Sequence, residues 1–205
     1  MEENLSSDYS SKISLHSNEN IKSNISSNII SDENSKSLIK IISELLTDIC
    51  EESKSNLESN IIKIKPFISK KIPPISIEEY IERLLKHSKV FNEIIIIILI
   101  YLDTICAKHK INFNYYNIHK FILAAFIVAV KFHEDDNIYS INFYAKLGGV
   151  TVKEALNLEY EFLTLIDFKL FIHQRLYNKY YNNLMHLEKN DTDYFEDDEL
   201  DSNIH

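Results

Sequence analysis

The stretch Asn117–Val150, NIHKFILAAFIVAVKFHEDDNIYSINFYAKLGGV, decides how the rest of the chain is read. From Phe121 to Val130 every residue is apolar or small, so a helix running from Ile118 through Phe132 has no polar face and must be central to its domain. Asn117 stands where it can cap that helix. Ser140 opens a shorter one with Ile141, Tyr144, Ala145 and Leu147 apolar, and Gly148-Gly149 supplies a left-handed stop. These are the only two glycines in 205 residues; with only three prolines beside them, the chain reads as helices joined by short links.

Working outward, Thr151-Val152-Lys153-Glu154 has the spacing of a capping box and leads into Ala155, Leu158, Phe162, Leu165 and Ile166 at helical intervals. A further helix is expected from His173 to Leu187, with Leu176, Tyr177, Tyr180, Tyr181 and Leu184 on one side. Upstream, Asn92 can cap a helix that carries Ile94–Ile100 to about Lys108. Ser76-Ile77-Glu78-Glu79 is a second capping box, opening a helix through Leu85. Leu38, Ile41, Ile42, Leu45, Leu46 and Ile49 form one more stripe behind Ser37 as its cap. The fold class is therefore all-α.

Between these elements, residues 51–72 read as a linker, either free or draped on the domain, in which Phe67 is isolated among basic residues, and Pro73-Pro74 forbids helix just before Ile75. Residues 1–35 are rich in Ser and Asn without sustained periodicity and are expected to be disordered. The same is expected of the acidic tail, 188–205, with Asp191, Asp193, Glu196, Asp197, Asp198, Glu199 and Asp201. One domain, 36–187, lies between.

Several functions lose support at this level. A formal charge of −9 offers no broad basic field for nucleic acid or an anionic membrane surface. The isoleucine run is too short for a span, which needs about 20 apolar residues, and Met1-Glu2-Glu3 opens no signal peptide. Cys50 and Cys106 lie far apart in apolar patterns, as reduced core thiols do. There is no glycine-rich phosphate loop, nucleophile elbow, HExxH or paired CxxC, so neither a cofactor nor a small-molecule substrate is expected. The best metal candidate, His133-Glu134-Asp135-Asp136, is consecutive, which spreads its side chains at a helix end; a solvated corner is the simpler reading and no metal is expected.

Lys131 is the sharp feature. It is the only charge between Lys120 and His133, in a helix of apolar and small residues. A lysine there either finds a carboxylate or snorkels to solvent. Glu159 is a candidate partner, since it lies about 60° from the centre of the Leu158/Phe162/Ile166 stripe, whereas Glu161 lies farther round on the other side.

The order of elements, an N-terminal helix followed by five with the third central, resembles a cyclin box. The segments ISIEEYIERLLKHSKVFNE (75–93), IYLD (100–103), Asn117–Val150 and LNLEYEFLTLIDFKLFI (156–172) resemble those of P/U-type, phosphate-pathway-like single-box cyclins. The resemblance runs from about Leu38 to Leu187 and implies a five-helix box core over about 75–168, with an additional N-terminal helix and at least one C-terminal helix. It implies a regulatory subunit that binds and activates a cyclin-dependent protein kinase, in the cytoplasm or nucleus, and is not itself an enzyme. The family's paired lysine and glutamate, which meet the kinase, match Lys131 and Glu159. Asp103 matches the acidic residue closing the second box helix, but the arginine that usually follows it is Thr104 here. The Met-Arg-Ala-Ile-Leu docking patch and second box of mitotic cyclins are not seen. The alternative is a cyclin-fold scaffold that activates no kinase.

Overall fold

A computed structural model of the chain describes residues 32–53, 64–90, 93–134 and 139–196. Seven α-helices and no strand occur among them: α1 (Asp32–Glu52), α2 (Ile77–Ser88), α3 (Ile94–His109), α4 (Ile118–His133), α5 (Ile141–Gly148), α6 (Val152–Leu165) and α7 (Gln174–Glu196). A 3-10 turn, Lys65–Phe67, stands between α1 and α2.

The centre is α4, buried at every position from Phe121 to Val130 and packed against α3 on one side and α6 on the other. The isoleucine run is equally inside, with Ile94–Leu102 buried on all faces of α3. The fully apolar helices thus go to the middle and the striped ones, α1, α2 and α6, lean on them with one face. Both cysteines are buried thiols. Burial pushes Cys50 up to about 12 and Cys106 up to about 11, where neither is an effective nucleophile at neutral pH.

The expected caps meet different fates. At α2 the box is complete: the Glu79 amide donates to Ser76 Oγ and the Ser76 amide to the Glu79 carboxylate, both at 3.1 Å. At α6 only half of it forms, because Thr151 Oγ1 accepts from the Glu154 amide while the Glu154 carboxylate turns to Lys120. Asn117 makes no cap to α4; its side chain closes the preceding loop instead, accepting from the Asn114 amide and donating to the Asn112 carbonyl. Ser140 likewise makes no side-chain cap at α5. Asn92 lies outside the described residues.

Two boundaries move. The first helix begins at Asp32 rather than behind Ser37, and the last continues to Glu196 instead of stopping at Leu187. No Pro or Gly stands in either extension, and charge by itself does not end a helix. Residues 1–31 and 197–205, the remainder of the two segments expected to be disordered, lie outside the described residues.

The described part of the linker is draped on the domain, and its isolated aromatic is core. Phe67 is fully buried, stacked on Phe121 at 4.0 Å between ring centroids with planes 2° apart, and Phe113 meets the other side of Phe121 edge-on. Burying such a ring contributes roughly 1.5–3 kcal/mol, enough to fix the strap from Lys65 to Ile75 across the start of α4. At the end of α5 both glycines are needed. A Cβ on Gly148 would come within 2.3 Å of Leu123, and Gly149 has φ +71°.

Candidate kinase-docking site

The site is built where the C-terminal end of α4 meets the middle of α6. Lys131 falls in the last turn of α4, and its ammonium donates to both oxygens of Glu159, at 2.7 and 2.8 Å. The carboxylate takes the lysine, so the alternative of a solvent-snorkelling Lys131 is not the arrangement adopted. The Lys131 side chain keeps 33% of its exposure and Glu159 keeps 15%. An ammonium has three donors and a carboxylate about four acceptor positions. One lysine proton and two carboxylate positions are therefore not used by the pair itself.

Uncovered apolar side chains stand on the same two helices. Phe132, next to Lys131, is 50% exposed, and along one side of α6 lie Val152, Leu156 and Tyr160, the last 63% exposed. Leu156, Asn157 and Tyr160 also line an open depression with Thr151 and Lys153. Charged groups with spare hydrogen-bonding positions on a face with exposed apolar side chains are the raw material of an interface.

The frame behind it is held by groups that the sequence did not single out. Tyr101, buried in α3, donates to the Leu170 carbonyl at 2.7 Å, and its oxygen lies 2.9 Å from His133 Nε2. This joins the end of α4 to the segment after α6, and burial holds the His133 imidazole below its ordinary pKa. Lys108 pairs with Asp167, whose carboxyl is pulled down by the hydrogen bond from Lys108 and, less, by its charge, and His109 reaches the Leu165 carbonyl at 2.8 Å. Both contacts pin the end of α6 to α3. A tyrosine alone in an apolar run was the available signal for Tyr101, but its partners are distant in sequence.

Asp103 stands apart from this face. It is 8% exposed in α3, accepts a short hydrogen bond from Tyr180 Oη of α7, and has no partner for Oδ1 among the described residues. Burial pushes its carboxyl above the usual range, with the Tyr180 bond opposing. Thr104 bonds its own helix at the Ile100 carbonyl. Asp103 therefore fastens the C-terminal helix. Of the corner considered for metal, His133 is committed to Tyr101 and Glu134 is buried, while Asp135 and Asp136 lie outside the described residues.

The family model for cyclins matches residues 10–170. The chain belongs to the cyclin family. This cyclin is similar to the PHO85 cyclin-like protein psl1 of Schizosaccharomyces pombe, 36% identical over 155 residues that cover 68% of this chain and 63% of that protein. It is also similar to PHO85 cyclin-7 of Saccharomyces cerevisiae, 32% identical over 71% of this chain and 59% of the relative. Cyclin-U2-1 of Arabidopsis thaliana is 30% identical, over 62% and 56% respectively. The matches thus span less than two thirds of each of these relatives, and they agree with a P/U-type cyclin. No described helix is long and apolar enough to cross a membrane.

Proposed function

We propose that this cyclin binds a cyclin-dependent kinase and activates it, with Lys131 and Glu159 as the charged centre of the docking surface. The observation that carries the reading is the bidentate pair held partly exposed on two helices that also carry uncovered apolar side chains. The kinship with PHO85 cyclins supports a kinase as the partner. The chain supplies no catalytic group. Its α4–α6 face holds the kinase's mobile helix where the kinase's own Lys–Glu pair and metal-binding aspartate come into register for phosphoryl transfer. Activation extends only as far as the cyclin prefers that arrangement over the inactive one. The complex works in the cytoplasm or nucleus.

Docking desolvates the pair, and removing one partner then strands the other, at about 2–5 kcal/mol in affinity. Lys131→Ala and Glu159→Ala are expected to lose the kinase in co-purification while the helical circular dichroism and melting of the isolated cyclin stay near the parent's. A folded double variant that retains its kinase at unchanged affinity removes the assignment. Association without a rise in kinase activity leaves the scaffold reading.

A further inference from the structure

The strap from Lys65 to Ile72 has more exposed reactivity than its structural task requires. Phe67 anchors it to Phe121, the Ser69 amide donates to the Tyr116 carbonyl at 2.7 Å, and Lys120 Nζ donates to the Ile68 carbonyl at 3.2 Å. A segment fixed at these points presents its outward side chains in a set arrangement. Those side chains are Ile68, Ile72 and the neighbouring Tyr116, 38%, 49% and 44% exposed. Between them stand Lys65, Lys70 and Lys71, all exposed and with no ion pair or side-chain hydrogen bond among the described residues. Glu154, the acid tied to the strap through Lys120, is already held by that lysine at 2.8 Å.

Three unpaired cations within seven residues, on a chain of net charge −9, set the chemistry of what fits. We propose that this strap is a docking site for an extended acidic peptide, a segment of another protein carrying Asp or Glu residues interspersed with two aliphatic side chains. The carboxylates face Lys65, Lys70 and Lys71, and the aliphatic groups cover Ile68, Ile72 and the Tyr116 ring. Two rivals fit less well. An anionic lipid surface gains about 1 kcal/mol per lysine, which three lysines on an acidic protein do not turn into stable attachment. Nucleic acid needs more phosphate contacts than three to bind well at physiological salt.

The strap sits apart from the Lys131–Glu159 pair. Lys120 and Lys131 are eleven residues apart on α4, about 16 Å along its axis. A peptide held on the strap leaves the Lys131–Glu159 pair open, so the strap can bring a protein to the complex. Only that last role rests on the kinase reading; the docking itself does not.

The test is a fluorescence-anisotropy titration of the purified full chain against a labelled synthetic peptide alternating Asp-Glu pairs with leucines. The expected result is saturable binding that weakens with added salt. It should fall tenfold or more in the double variant Lys70→Glu/Lys71→Glu and in Ile68→Ser/Ile72→Ser, and remain unchanged in Lys131→Ala. Because all four substituted side chains are exposed, circular dichroism should match the parent. Equal binding by parent and variants overturns the site. So does equal binding of a peptide whose leucines are replaced by serine, which indicates unspecific charge attraction. Capture of the chain by phosphatidylserine vesicles without peptide binding gives the strap to lipid and overturns the proposal. Binding that appears only after Asp197→Asn/Asp198→Asn gives it to the chain's own tail, with the same consequence.

Discussion

The same two helices are joined twice by a lysine and a glutamate, and the two pairs do different work. Lys120 and Lys131 lie within about 20° of one face of α4, three turns apart, and each reaches an acid on α6. At the first pair the Lys120 side chain is the better covered, at 17% exposure, and it holds the Ile68 carbonyl as well as Glu154 at 2.8 Å. Two of its three donors are taken, one by the helix partner and one by the strap. At the second pair the acid is the better covered, and both carboxylate oxygens are taken by one lysine whose bonds all go to α6. One pair ties α4 to the strap as well as to α6; the other ties α4 to α6 alone. A salt bridge's role is thus read from what else its groups hold, since its distance is nearly the same in both.

The sharpest way to break the first region is to remove the ring beneath the strap. Phe67→Ala should cost about 3–5 kcal/mol in denaturant unfolding, the range for aromatic truncation in a packed core. If the strap were a loose linker, the loss would be near zero. At the second region Lys131→Ala should reverse the pattern, losing about 2–5 kcal/mol of kinase affinity with less than about 1 kcal/mol of stability, as measured by calorimetry and melting. Lys120→Met sharpens the contrast from the other side, with a stability loss of about 1 kcal/mol or less and kinase association unchanged. Should Lys120→Met instead release the kinase, the division of labour between the two pairs is wrong.

The smallest effect belongs to Asp103. Its folded carboxyl titrates above the ordinary value near 3.8, so the folded state holds its proton more tightly than the unfolded chain. Stability from this group therefore declines as pH rises through the ordinary carboxylate range and levels off above the folded value. Asp103→Asn should flatten that part of a melting-temperature profile against pH. An unchanged slope would mean that Asp103 titrates as it does in the unfolded chain.

The Lys131–Glu159 pair was legible in the sequence because Lys131 violates its surroundings. Ten apolar or small residues precede it, so its charge demands an explanation, and the helical angle of Glu159 supplies a partner. Lys120 gave no such signal. It stands among Asn117, His119 and other polar residues at a helix start, where a lysine is ordinary, and its partners on α6 and the strap are brought to it only by folding. The same reasoning explains the misread capping box at Thr151. Local spacing offers Glu154 to the helix start, but a lysine ion pair across two helices outcompetes the neutral amide.

The sequence by itself determined the all-α class, the central place of α4 and the helical stripes, because burial of a periodic apolar face depends on residues three and four apart. It also determined the charged residue that would need a partner. Tertiary structure alone decided that Phe67 is core, that Tyr180 closes on Asp103, and which of two similar Lys–Glu pairs also holds the strap. Those outcomes rest on contacts between residues many positions apart, and no periodicity along the chain encodes such contacts.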